Sequence, residues 1–262
     1  MKNLKPLYIL LTIGVLIAPS VAKDKIVESK WTAAPVRIDG SSAEWAQDAL
    51  ETEKSVEASY AFKNDANFLY VLFIFNNPIY LSTVEDTGMT FWVNTEGKEK
   101  KIRGLRFHRK AVSADQLIQS LESEGQTLTD QKKQELRSKT QYLLFAYDVV
   151  NKKGEIVPQS GMATGTYRLA RVEKSTIYEF VVPLELLADP SSDKKWDPAK
   201  PFKLGFEWGG LTDEMKKARA PQLSGEERSE SNENRFRVPD SATRQSPKRY
   251  DFWISLQIAQ NK

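Results

Sequence analysis

Cysteine is absent from the 262 residues, and histidine occurs once. The first absence excludes disulfides, thiolate metal sites and cysteine nucleophiles together. The second leaves His108 alone in a basic stretch with Arg106, Arg109 and Lys110. A zinc site would then have to be completed by carboxylates. No Gly-x-Ser-x-Gly elbow accompanies that histidine, so the usual motif of a serine hydrolase is missing. An excess of one charge is also lacking, with 38 basic against 35 acidic side chains and a net charge of +3. Two of those positive charges, Lys2 and Lys5, lie at the very N-terminus, leaving +1 for the rest. That balance argues against nucleic acid or an acidic membrane surface as partner. Acidic residues are numerous, but no spacing marks a hydrolytic carboxylate pair. The expectation is a protein without catalytic activity.

Long apolar runs are scarce. Leu7 to Ala18 is uncharged and apolar, short of the ~20 residues a spanning helix needs. Lys2 and Lys5 precede it, and Ser20 and Ala22 frame a small-x-small site after it. This is the layout of a signal peptide over 1–22, cleaved after Ala22. The expected product is periplasmic or secreted, is not an integral membrane protein, and forms one domain over 23–262.

What fills that domain is alternation of period two, the mark of strands. Val56 to Phe62 alternates around Ala58, Tyr60 and Phe62, and the turn Asn64-Asp65-Ala66-Asn67 leads into Phe68 to Phe75. That second run is nearly all apolar, as suits a central strand covered on both faces. Further strands are expected at Met89 to Asn94, Ile102 to Phe107, Tyr142 to Val149, Gly165 to Val172, Thr176 to Val182, Phe202 to Trp208 and Tyr250 to Ile258. Between the fourth and fifth of these nine, Leu117, Ile118 and Leu121 fall on one helical stripe, and Ser113 is placed to cap it. Residues 113–139 therefore read as a short helical insertion. Residues 212–245 are charged and almost devoid of apolar side chains, and read as a long mobile loop. The fold class expected is all-β: a two-sheet antiparallel β-sandwich of jelly-roll or immunoglobulin-like type.

Several of these segments together resemble a known family. Val36-Arg37-Ile38-Asp39-Gly40 followed by Glu44-Trp45 resembles the opening of family-nine-like carbohydrate-binding modules. Asp65 to Val71, Gly88 to Asn94, Tyr178-Glu179-Phe180-Val181-Val182-Pro183-Leu184 and Phe202 to Phe206 follow in the order such modules show. The resemblance implies a non-catalytic sandwich of a group related to the DOMON domains, which also includes haem-binding and structural members. The implied ligand is a saccharide or cell-envelope glycan. Asp39-Gly40 reads as a turn, with Trp45 folding back as an apolar plug over one end of the sandwich.

Sugar recognition uses flat aromatic faces flanked by carboxylates and amides, so tryptophans out of phase with the core are the first candidates. Trp92 opposes Phe91 and Val93 in phase, and Trp253 opposes Phe252 and Ile254. Asn94, Glu207 and Asp251 share or adjoin those phases. Two readings stay open for each tryptophan: a ligand platform, or a ring covered by the insertion or a loop. Trp45 and Trp208 read as core. No cofactor is expected. Calcium is an alternative at the oxygen-rich turn Asn64 to Asn67. For haem, Met89, Met162 and Met215 are the methionines that stand beside His108 as candidate ligands. A scaffold that binds a protein partner through residues 113–139 and 212–245 is the rival function. The charged loop reads either as a solvated linker or as a lid near Trp208 and Gly209-Gly210.

Overall fold

Eight apolar residues in a row at Phe68–Phe75 need cover on both faces, and the architecture is arranged around that need. The computed structural model describes residues 25–81, 84–123, 125–158, 167–187, 196–210 and 248–261. The expected signal peptide 1–22 and charged loop 212–245 lie outside the described residues, as does Met162. Along the chain run β1 (Ile26–Glu28), β2 (Lys30–Trp31), β3 (Glu51–Glu53), β4 (Ala58–Asn64), β5 (Phe68–Phe75), α1 (Val84–Thr87), β6 (Met89–Asn94) and β7 (Arg103–Val112). They continue with α2 (Ala114–Ser123), α3 (Asp130–Arg137), β8 (Tyr142–Asn151), β9 (Tyr167–Val172), β10 (Ser175–Pro183), β11 (Phe202–Gly209) and β12 (Arg249–Gln257).

Two sheets form the expected sandwich. The front sheet has the order β1-β12-β11-β6-β7-β8, and the back sheet β2-β4-β5-β10-β9, with β3 also on β4. Both are antiparallel except at one edge each, where β1 runs parallel to β12 and β2 parallel to β4. One continuous segment supplies both parallel edges, so the chain crosses from front to back at Ser29. That crossing is buried and pinned. The Ser29 hydroxyl donates to Asn64 Oδ1 at 2.5 Å and accepts from the Ala259 amide at 2.9 Å. Asn64 Nδ2 donates in turn to the Ala259 carbonyl at 3.1 Å.

Inward side chains of the two sheets meet in an aromatic core. Phe73, fully buried, packs edge-on against Phe206 across the sandwich at a centroid distance of 4.8 Å. Phe91 stands 4.8 Å from both Phe107 and Phe180. Such tilted and edge-to-face pairs set the positive ring edge against the negative face.

The outer face of the back sheet carries a second, smaller core. Ala61, Tyr70, Leu72 and Ile177 point away from the first core and are covered by Val36 and Trp45. Trp45 therefore lies over the sheet face, where these apolar residues need a lid, and not over an end of the sandwich. Glu179, also on that face, holds the covering segment down. Its Oε1 accepts from Trp45 Nε1 at 2.8 Å, and its Oε2 from the amides of Gly40 at 2.7 Å and Asp39 at 3.1 Å. Gly40 has φ +86°, and a Cβ there would lie 3.1 Å from the Leu169 carbonyl carbon, so the turn requires glycine.

The helical insertion separates β7 from β8, which pair with each other from Arg103↔Asn151 to Val112↔Tyr142. Ser113 caps α2 reciprocally: its hydroxyl accepts from the Gln116 amide at 3.2 Å, and Gln116 Oε1 accepts from the Ser113 amide at 2.9 Å. Ion pairs Lys133–Glu122 at 2.7 Å and Arg137–Asp115 at 2.8 Å tie the two helices together.

Candidate functional site

Alternation along β12, β11 and β6 sends Phe252, Phe206 and Phe91 inward, so their neighbours point out from the front sheet. The five residues chosen from the sequence, Trp92, Asn94, Glu207, Asp251 and Trp253, come together on that outer face. The register makes Gly205 the partner of both Trp253 and Trp92, and sets Glu207 opposite Asp251 and Lys203 opposite Asn94. A row Trp253-Gly205-Trp92-Gly104 thus crosses four adjacent strands.

The two mid-strand glycines explain how indoles fit on this face. A Cβ on Gly205 would lie 2.7 Å from both Cδ2 and Cε2 of Trp253 and 2.8 Å from its Cε3. Three ring atoms at nearly equal distance mean that the indole lies face-on over the glycine. At Gly104 a Cβ would meet Trp92 Cε3 at 2.9 Å. Glycine within a strand is a sign of such close approach, and it is the signal in the sequence that points to these rings beyond their phase.

The five residues do not share one environment. Trp92 is only 5 % exposed. Its Nε1 donates to Glu207 Oε2 at 2.6 Å, and Lys101 Nζ sits 5.4 Å from its ring. Glu207 is buried as well and further engaged by Lys101 at 2.5 Å and by Arg249 at 2.8 Å. Asn94 closes the turn after β6, accepting from the Glu96 amide at 2.9 Å and donating to the Lys100 carbonyl at 3.1 Å. For Trp92 the covered reading holds, since the ring is buried and Lys101 lies over it. Trp253 is half-buried and Asp251 exposed, and these two remain open to a ligand. Gly205→Ala, whose Cβ collides with the indole, is expected to lift Trp253 off the sheet at a cost of about 1–3 kcal/mol. A red-shifted tryptophan emission with a retained far-ultraviolet circular dichroism spectrum would record this; an unchanged emission would contradict the stacked geometry.

Other candidates are occupied. His108 Nε2 lies 2.7 Å from Asp148 Oδ2, and Arg106 and Lys110 flank the same carboxylate at 3.8 and 3.7 Å. The hydrogen bond from His108, with the charges of Lys110 and Arg106, holds the Asp148 carboxyl below the usual range. At the oxygen-rich turn, Asp65 Oδ1 accepts from the Asn67 and Phe68 amides, both at 2.7 Å, and Oδ2 from the Tyr70 hydroxyl at 2.6 Å. Among the described residues no three His, Asp or Glu side chains converge as metal ligands. Met89 is fully buried in the core. Among the described residues no helix is long and apolar enough to cross a membrane.

The structure also holds a cleft that the sequence reading missed. About 780 Å³ opens between Asn76, Pro78, Leu81 and Glu85 on one side and the β9–β10 hairpin on the other, with Tyr178 in its lining. Its two walls are roughly a hundred residues apart in the chain, and no local pattern joins them.

No known family's sequence pattern matches the chain, and no curated protein matches it. Among solved structures, similarity is found to a family 9 carbohydrate-binding module from Caldicellulosiruptor kristjanssonii, in complex with glucose. The TM-score is 0.33 at 13 % identity, over 73 % of this chain and 81 % of that one.

Proposed function

We propose that this is an exported, non-catalytic protein that binds a saccharide or envelope glycan on the outer face of its front sheet. The observation that carries this reading is the placement of Trp253. Its indole is laid flat on Gly205, half-buried, with one face against the backbone and the other turned away from it. A flat ring fixed in this way meets the apolar C–H face of a pyranose at little entropic cost, because it is already ordered. Asp251, exposed two residues away on the same strand edge, supplies acceptors for sugar hydroxyls. Trp92, Glu207 and Asn94 act beneath and beside this platform. The Glu207 hub, joined to Trp92, Lys101 and Arg249, fixes the neighbouring strand and the loop beside it.

Calorimetric titration of the secreted form with a panel of oligosaccharides tests the proposal. At least one saccharide should bind at millimolar concentration or below, and Trp253→Ala should weaken it by at least tenfold while the fold is retained. A panel with no binder, or a binder indifferent to Trp253→Ala, would defeat the reading.

A further inference from the structure

We propose that the cleft that Asn76, Pro78, Leu81 and Glu85 form with the β9–β10 hairpin is a second binding site, taking a small molecule that bears a carboxylate. This site is separate from the Trp253 face and does not depend on it. Its volume, about 780 Å³, falls within the range of ~300–1,000 Å³ typical of small-molecule sites.

The ligand class follows from an inventory of donors and acceptors. Two of the acceptors on the cleft walls, Glu85 and Asn76, are used. Glu85 Oε1 takes a hydrogen bond from Arg171 at 2.9 Å, and Arg109 approaches its Oε2 at 3.3 Å. Asn76 Oδ1 accepts from the Ser175 hydroxyl at 2.8 Å. The remaining carboxylate, Glu173, stands exposed on the hairpin turn. Donors, in contrast, are available. Tyr178 is 2 % exposed and lines the cleft, and its hydroxyl has no hydrogen-bond partner among the described residues. Burial, and then the charge of Glu85, push this phenol well above its ordinary pKa, so it keeps its proton as a donor. Thr176, 7 % exposed, likewise contributes an unpaired hydroxyl among the described residues. Lys174 adds an ammonium group at the rim that has no ion-pair partner among the described residues. With Glu85 paired and Glu173 out at the rim, the inner wall offers the hydroxyls of Tyr178 and Thr176 beside the Lys174 ammonium, a set that an acceptor-only group of negative charge fits. A carboxylate accepting from Tyr178, with Lys174 balancing its charge, satisfies both requirements.

Glucuronate and glucose share a ring and differ at the carboxylate, so they form the direct probe pair for calorimetry on the wild-type chain. At the site lost in Tyr178→Phe, glucuronate should bind saturably and glucose at least tenfold more weakly. Tyr178→Phe, which removes only a hydroxyl and keeps the core ring, should weaken glucuronate by about tenfold. Lys174→Gln, on the exposed turn, should weaken it severalfold, and the component of glucuronate binding that Tyr178→Phe removes should persist in Trp253→Ala. Glucuronate that fails to bind, or whose binding is indifferent to Tyr178→Phe, would overturn the site. Glucose bound as tightly as glucuronate in a Tyr178-dependent way, or inorganic phosphate bound more tightly in that way, would overturn the carboxylate assignment. Loss of glucuronate binding in Trp253→Ala with none in Tyr178→Phe would move it to the outer face.

Discussion

Glu179→Ala should unfold at a temperature about 10 °C or more below the wild type. The carboxylate is fully buried and is the acceptor for three donors in the covering segment: the Trp45 indole, the Gly40 amide and the Asp39 amide. Truncation leaves these donors unpaired in a closed environment, at ~1–3 kcal/mol for each buried group and with incomplete additivity. A loss of about 3–5 kcal/mol is expected, and a domain of this size shifts by ~2–4 °C per kcal/mol. Glu179→Gln should lose less, about 1–2 kcal/mol, because its carbonyl still serves the two amides while its NH2 opposes Trp45 Nε1–H. Trp45→Phe removes the indole donor, so a double-mutant cycle with Glu179→Ala should show coupling of about 1 kcal/mol or more. A Glu179→Ala variant within 1 kcal/mol of the wild type would mean that the segment is held by apolar contact alone.

The same carboxylate gives a dependence on pH. Burial raises its pKa, and the bonds from Trp45, Gly40 and Asp39 only partly offset that. With the folded value above the unfolded one, its contribution is complete below the unfolded pKa and is lost as pH rises through the folded value. The stability advantage of wild type over Glu179→Gln should therefore shrink as the pH is raised from about 4, near the unfolded value, towards neutrality.

Phe73→Ala is expected to cost about 3–5 kcal/mol, the range for an aromatic removed from a closed core. Phe73 has no exposed surface, and its ring contacts Tyr60, Phe75, Phe91, Phe180, Phe206 and Phe252 from both sheets. The neighbours are other rings, anchored on strands, so the hole has little means of closing. Chemical denaturation should show a lower midpoint, and a cost under about 1.5 kcal/mol would imply a core able to collapse. Phe68→Ala, on the same strand but exposed, is the matched control and should change stability by less than about 1 kcal/mol.

Strand alternation carried most of the sandwich. The apolar run Phe68–Phe75 announced a strand covered twice, and the structure supplies both covers. The phase of Trp92 and Trp253 placed them correctly on the outer face, because side-chain direction in a strand is a matter of parity. Parity does not say what lies above a face. Trp92 is covered by Lys101, which reaches it from a turn whose shape no periodicity encodes. The position of Trp45 was beyond local reading for a similar reason, since its anchor, Glu179, is 134 residues away. β1, β2 and β3 have two or three residues each, too few to show a period. The strand expected to end at Phe107 runs on to Val112 as β7, because β8 pairs with it throughout.

Saccharide binding by the proposed platform turns on the open face of Trp253. The most direct measurement follows the indole N–H resonances of the six tryptophans by two-dimensional NMR while a bound saccharide is titrated in. The Trp253 resonance, assigned by its loss in Trp253→Phe, should move saturably, while those of the buried Trp45, Trp92 and Trp208 stay within small shifts. Saturable binding that leaves the Trp253 resonance in place, or that moves only the buried indoles, would contradict it.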